Sequence, residues 1–259
     1  YCGVPFGEIV NRDRLLSSIT YDPTNQRPAI TYKGVSAVEA LIFTNYLMYR
    51  NVYWHHTVRS ANARFKRGIQ DLLAQENCTL KETDFDRATE ADLIHRLEEE
   101  MVLHHIEQRE SMVGRIKRRK LYKVAHMFYP QSDDNQLQDL FRHLYYHPDE
   151  RHALEFALCE YISKQTHAPL HGDEILLDIP RVGKSPEVDL KVFFQSHIPI
   201  NKADPLSFDD PQVSLLKDYL LDNFEAQAKV VRIFCDNQPG LRESVNEHAP
   251  TFLKAWKYT

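Results

Sequence analysis

The spacing at which apolar residues recur changes along this chain, and the changes mark its elements. From Ser36 to Leu73 apolar residues keep a helical period with no proline and no glycine before Gly68. Ser36 followed by Glu39 has the form of a capping box, and the pattern predicts one long helix over 36–74. At about 100° per residue, Val38, Leu41, Ile42 and Met48 share a face with Asn45, Tyr49, Val52, Tyr53 and His56, whereas Tyr46, Leu47 and Phe65 point elsewhere. A helix apolar on more than one side has other elements packed around it. Upstream, Leu15 to Tyr21 reads as a short helix or strand. Asp22-Pro23-Thr24-Asn25 supplies turn chemistry, and Ala29 to Lys33 alternates as a strand does, so a short hairpin precedes the long helix.

Downstream, Gln75 to Lys81 is polar and linker-like. Thr89 with Asp92 starts a second helix, whose apolar positions Leu93, Ile94, Leu97, Met101 and Leu103 carry it towards Met112 to Gly114. Arg115 to Lys123 interrupts cations with Ile116, Leu121 and Tyr122 and reads as a strand or loop-strand. Two helices follow, Asn135 to Tyr146 and Glu150 to Ser163, divided at His147-Pro148 because a residue before proline is pushed out of the helical basin. Beyond them, Ile175 to Ile179, Val188 to Phe194 and Val230 to Cys235 are short β-rich runs separated by prolines. Gln212 to Phe224 and Leu241 to Trp256 read as helices. The expected class is mostly α with a small α+β C-terminal part: a helical portion over 1–165 and a smaller α+β portion over 166–259.

Composition narrows the function classes. A chain of 259 residues is long enough for a sizeable core, and a formal net charge of −5 provides no global basic field, so nucleic acid is not an expected partner. No apolar run approaches the ~20 residues that span a bilayer, which excludes a membrane-spanning helix at this level. Cys2, Cys78, Cys159 and Cys235 lie far apart with no CxxC pair, as befits reduced thiols and a cytoplasmic location. The chain opens Tyr1-Cys2-Gly3, without an initiator methionine or an export signal, as though cut from a longer polypeptide.

Thirteen histidines raise the question of a metal. His55-His56 and His104-His105 are adjacent pairs that point to different sides of a helix. His143 and His147 have the i, i+4 spacing of a shared ion, but no HExxH, no cysteine partner and no carboxylate at the matching spacing accompanies them, so solvated histidines are expected there. There is no G-x-S-x-G elbow, no Walker loop and no G-x-G-x-x-G, so any site is assembled from distant side chains. Two clusters remain. The first is the row Asn45, Tyr49, Tyr53 and His56, at i, i+4, i+8 and i+11 with Arg59 close by. Its hydroxyls and imidazole suit phosphate oxygens and its rings suit a base or sugar, although such a face also serves as plain core packing. The second is Arg115 to Lys123, six cations in nine residues. It is either a solvated face or an anion site built on Arg119 and Lys123.

The residues Leu47-Met48-Tyr49-Arg50-Asn51-Val52-Tyr53-Trp54-His55-His56-Thr57-Val58-Arg59 closely resemble a signature of the HD-domain phosphohydrolases of the deoxynucleoside triphosphate triphosphohydrolase type, Arg-Tyr-x-Met-Tyr-x-x-Val-Tyr-x-His. Tyr1 to Gly7 resembles the segment after that family's Arg-Asp element. Arg118-Arg119-Lys120-Leu121-Tyr122-Lys123 is similar to its Arg-x-Leu-Phe-Lys strand, and Asp178-Ile179-Pro180-Arg181 with Pro186-Glu187-Val188 to its C-terminal β part. The resemblance implies an HD-domain phosphohydrolase-like C-terminal region of a homo-oligomeric enzyme that converts dNTPs to nucleoside and triphosphate. It implies a divalent metal such as magnesium or manganese, held by a His, a His-Asp pair and an Asp of the parent protein's N-terminal HD segment. No His-Asp dipeptide occurs in this chain, so catalytic residues and a metal are not expected within it, and alone it is expected to be inactive. By the same resemblance Tyr53 meets the sugar and base, Tyr49 lies near the phosphates, and Asn45 and His56 belong to the same substrate wall. Asn45 stands where the family commonly has an arginine. Arg119 and Lys123 match positions that bind a regulatory nucleotide at a subunit interface. A non-catalytic nucleotide-sensing or oligomerisation module is the alternative.

Overall fold

A computed structural model of the chain describes residues 6–86, 88–106, 111–129, 135–167, 169–180, 190–194, 205–216 and 230–256. In chain order the elements are α1 (Phe6–Ile9), α2 (Arg12–Ser18), β1 (Ile19–Asp22), β2 (Arg27–Thr31), α3 (Val35–Met48), a π-helical turn (Tyr49–Tyr53), α4 (His56–Leu73), α5 (Glu90–Leu103) and α6 (Met112–Lys117). They continue with β3 (Lys123–Phe128), α7 (Asn135–Tyr146), α8 (Pro148–Thr166), β4 (Ile175–Asp178), β5 (Lys191–Phe193), β6 (Leu206–Ser207), β7 (Val231–Cys235) and α9 (Leu241–Ala255). The described chain is thus mostly helical with small sheets. Among its residues no helix is long and apolar enough to cross a membrane.

The chain divides into two compact units that do not follow its order. One draws on 1–55, 129–131 and 181–230, the other on 56–128, 132–180 and 231–259. The compositional change near residue 166 falls inside the second.

In the first unit a sheet is ordered β1-β2-β5-β6. The hairpin β1–β2 closes as its sequence predicts: an Asp22 carboxylate oxygen accepts the Thr24 amide at 3.0 Å and the Asn25 amide at 3.2 Å, fixing the turn. β5 joins β2 in parallel, with Ile30 opposite Val192. Ile30, Val35, Val38, Val192, Leu206, Phe208 and Val213 form the core beneath α3. The helix starts one residue early, at Val35 after Gly34, and Ser36 makes no cap. Glu39, the other half of the expected capping box, accepts instead from the Ser214 hydroxyl at 2.6 Å. Of the helix expected over Gln212 to Phe224, residues 217–224 lie outside those described. Residues 211–213 form a turn, in which the Asp210 carbonyl takes the amides of Val213 and Ser214.

In the second unit the sheet is ordered β3-β7-β4, antiparallel throughout. Its period-2 alternation divides the strands between two cores. Ile175, Leu177, Val231, Ile233 and Cys235 pack with α7, α8 and α9, while Leu176, Phe234, Tyr122 and Ala63 pack on the α4 side. A further core of Leu72, Leu97, Met101 and Val113 joins α4, α5 and α6. Thr89 and Asp92 form the predicted capping box, but α5 ends at Leu103 rather than near Met112. Ser111 caps a separate helix, α6, that takes up the first cations of the run read as a strand, and β3 begins only at Lys123. Of the segments quoted for the family resemblance, residues 1–5, Arg181 and Pro186 to Val188 lie outside the described residues.

Candidate functional site

The helix predicted over 36–74 is not continuous. α3 passes into the π turn, where the Trp54 amide bonds the carbonyl of Tyr49, five residues back, at 2.8 Å. The winding then stops, since Trp54 has φ −101° and ψ 6° and His55 bonds only three back, to Val52. The cause lies in the side chains: Tyr49, Val52, Tyr53 and Trp54 are aromatic or β-branched, and each crowds the preceding turn. Single π turns of this kind recur at functional sites.

The turn displays two of the four residues of the expected row. Tyr49 and Tyr53 lie with ring centroids 5.2 Å apart and planes at 59°. They are 37% and 49% exposed, so neither is sealed in a core. Behind them the Arg50 guanidinium donates to the Tyr46 hydroxyl at 3.1 Å. Asn45, one turn earlier, lines a cavity of about 740 Å³ whose walls are mostly apolar, among them Leu15, Ile19, Val38, Ile42 and Met48. Thr44 and Asn45 are its polar lining side chains, and the Thr44 hydroxyl is committed to the Ala40 carbonyl at 2.7 Å. Tyr49 and Tyr53 stand outside that lining. His56, the fourth residue of the row, opens α4 and belongs to the second compact unit. The regular spacing that put it in the row assumed an unbroken helix, which the π turn and the break at Trp54 remove.

Within the second unit α4 carries charges that sequence reasoning did not assemble. Arg59 grips Asp178 of β4 bidentately, at 2.7 and 2.5 Å. Arg67 pairs at 2.5 Å with Glu155 of α8, and the same carboxylate accepts the Leu177 amide at 2.7 Å. Burial pushes Glu155 up to about 7 against the pull of Arg67. Lys66, Gln70 and Arg151 complete a slot here of about 20 Å³, room for a single water and not for a nucleotide. Burial, followed by the nearby Arg59, lowers the Lys66 ammonium pKa. No local signal announces these pairs, whose partners lie 119 and 88 residues apart.

The cationic run is partly neutralised. Arg115 lies 3.6 Å from Asp236 and 3.9 Å from Asp173, and Lys117 pairs with Glu98. Arg64, fully buried, stacks its guanidinium 3.6 Å above the Tyr122 ring and donates to the Lys120 carbonyl, which anchors the end of the run. Arg119 and Lys123 remain exposed. Arg119 is in the left-handed region at φ 55° after α6, and Lys123 opens β3.

Among the described residues, one group of His, Cys, Asp or Glu side chains has the spacing to hold an ion: His143, His147 and Glu150. The missing carboxylate of the sequence reading is Glu150. It comes back onto His143 because the chain bends at His147-Pro148 and does not continue one helix.

Residues 10–206 match the family described as HD associated region, well over half of the chain, and the chain belongs to that family. An 84-residue stretch, 32% of the chain, is 31% identical to an uncharacterized protein of Methanocaldococcus jannaschii, of which it covers 18%. A crystal structure of a phosphohydrolase from Bacteroides thetaiotaomicron is similar at 14% identity and a TM-score of 0.45, over 88% of this chain and 56% of that one. The chain thus spans less than two-thirds of either relative.

Proposed function

We propose that this chain is the nucleotide-facing portion of an HD-family phosphohydrolase that acts on dNTPs, releasing nucleoside and triphosphate. The observation that carries the reading is the solvent-facing pair Tyr49 and Tyr53 on a π turn, within a chain of the HD-associated family. Two phenol rings held at this separation offer a stacking face for a base or deoxyribose and two hydroxyls for phosphate oxygens. Asn45 contributes an uncharged amide at the head of the apolar cavity. It lacks the fork and charge of an arginine, so its grip on a triphosphate is weaker. Arg119 and Lys123 are assigned to a regulatory nucleotide site between subunits of a homo-oligomer.

The implied ligand set, a His, a His-Asp pair and an Asp, is not met by this chain, in which no His-Asp dipeptide occurs. The role assigned to its residues is therefore to bind and orient the nucleotide, and the divalent ion is assigned to the parent protein. Product analysis of the full-length protein with each dNTP tests the reaction, with tripolyphosphate as the expected product. Loss of aromatic stacking is worth about 1–3 kcal/mol, so Tyr53→Ala is expected to lower kcat/KM about 5- to 150-fold. Unchanged kinetics in that variant would remove Tyr53 from the wall. Nucleotide binding with every dNTP left intact would favour a sensing module over an enzyme.

A further inference from the structure

α7 ends and α8 begins around one residue. His147 sits at φ −120° and ψ 80°, outside the helical basin, with Pro148 as the first residue of α8. The bend lays the first turn of α8 against the last turn of α7, so that Glu150 reaches back to His143, Nε2 to carboxylate oxygen, at 2.8 Å. The His147 ring stacks on His143 with centroids 3.9 Å apart and planes 12° from parallel. Its Nδ1 lies 2.8 Å from the His143 carbonyl oxygen.

That last contact decides a tautomer. A carbonyl only accepts, so His147 carries its proton on Nδ1, and the neutral ring keeps its lone pair on Nε2. Metal-binding imidazoles are commonly prepared in this way, with the second nitrogen donating to a carbonyl. His143 supplies a second imidazole, and its Nε2 proton, shared with Glu150, occupies ground that a cation between nitrogen and carboxylate would take over. One donor atom from each of the three side chains falls within 4.8 Å of the others. Ligand atoms around a four-coordinate ion with bonds of about 2.0–2.2 Å sit somewhat closer than that. The exposed His147 ring and the half-buried Glu150 have the freedom to turn out of the stack and close the gap.

We propose that this corner is a binding site for one divalent transition-metal ion of the zinc, cobalt or nickel kind, held by His143, His147 and Glu150 with a position left open to solvent. Two imidazoles with one carboxylate favour such ions over magnesium or calcium, which take oxygen ligands. The ion would fasten α7 to α8 independently of any ion bound by the parent protein, and the proposal does not rest on the nucleotide reading.

Calorimetric titration of the chain with zinc chloride tests it, alongside His143→Asn/His147→Asn and Glu150→Gln, with circular dichroism to check that each variant is folded. The unaltered chain should take up one tightly bound zinc. Affinity should fall at least about 10- to 100-fold in the double variant, the loss met when merely supporting groups are removed, and about 10-fold in Glu150→Gln. Equal zinc affinity in the double variant would overturn the proposal, as would magnesium binding as tight as zinc. In the unaltered chain, cobalt should give the strong visible absorption of four-coordinate ligation. A weak six-coordinate spectrum alone would likewise overturn it.

Discussion

Replacing Arg67 with methionine tests whether the pair it makes with Glu155 holds α4, α8 and β4 together. Glu155 is buried, and besides Arg67 its charge is supported by the Leu177 amide and by the nearby Arg151. Removing the cation leaves a buried carboxylate without its closest partner, which typically costs about 3–5 kcal/mol. The loss depends on pH. Burial already sets the folded pKa of Glu155 at about 7, above its ordinary 4.5. The native state therefore keeps a proton that the unfolded chain has released. Stability from this group is fully present below pH 4.5 and lost as pH rises through about 7. At 1.36 kcal/mol per pKa step that interval is on the order of 3 kcal/mol. Without Arg67 the folded value climbs further, so the penalty of Arg67→Met should be small near pH 4.5 and largest above pH 7. Urea unfolding followed by circular dichroism at both ends of this range measures it, with Glu155→Gln isolating the titration. The double replacement Arg67→Met/Glu155→Leu, which leaves no buried charge orphaned because Asp71, the other partner of Arg67, is partly exposed, should recover most of the loss. A single variant within about 1 kcal/mol of the parent at high pH, or a double variant no better than the single, would refute the reasoning.

The other expectations are simpler to state. Reversing charge at Arg119 and Lys123 should abolish nucleotide-dependent assembly or activation of the full-length protein in size-exclusion and activity assays; an unaltered effector response would leave the two as solvated cations. Gly34→Ala would put a methyl group 2.0 Å from the Ser18 hydroxyl and 2.5 Å from its Cβ. Ser18 is buried, and its hydroxyl is committed to the Leu15 carbonyl at 2.7 Å. The expected cost is about 1–3 kcal/mol in urea unfolding, largely relieved by Ser18→Gly in the same chain, and an unchanged midpoint would count against the packing described.

Local chemistry was legible in the sequence wherever a few neighbouring residues settle the backbone. The Asp22 turn, the Thr89–Asp92 box and the division at His147-Pro148 all emerge as their residues predict. The misreadings share a different cause. Nothing between Ser36 and Leu73 marks the π turn, since no glycine or proline is needed to make it. Its aromatic and β-branched run was legible as apolar surface, and its effect on winding depends on how those side chains crowd. Arg115 to Lys117 was taken for a strand by composition, although Ser111 was in place to cap a helix. Glu150 was overlooked because the division at His147-Pro148 placed it on a separate helix from His143, and only the fold shows the bend bringing it back. The pairs Arg59–Asp178 and Arg67–Glu155 have no local sign at all, since each is made by packing distant elements. For the candidate site, the tyrosines were legible by type and spacing, whereas their exposure and the interruption before His56 required the fold.

The five-residue winding at Tyr49–Tyr53 also bears on how such a chain tolerates change in length. A π turn holds one residue more than the α-helical path would, and each α-helical residue advances about 100° around the axis. Deleting a single residue here would restore ordinary winding and leave the residues beyond it aimed much as before, whereas deleting one from the regular turns of α3 would swing Tyr53 by about 100° around the axis. In descendants of this sequence a one-residue gap would therefore be absorbed at this turn and do its harm in the regular helix before it, where the count of residues sets the aim of the rings.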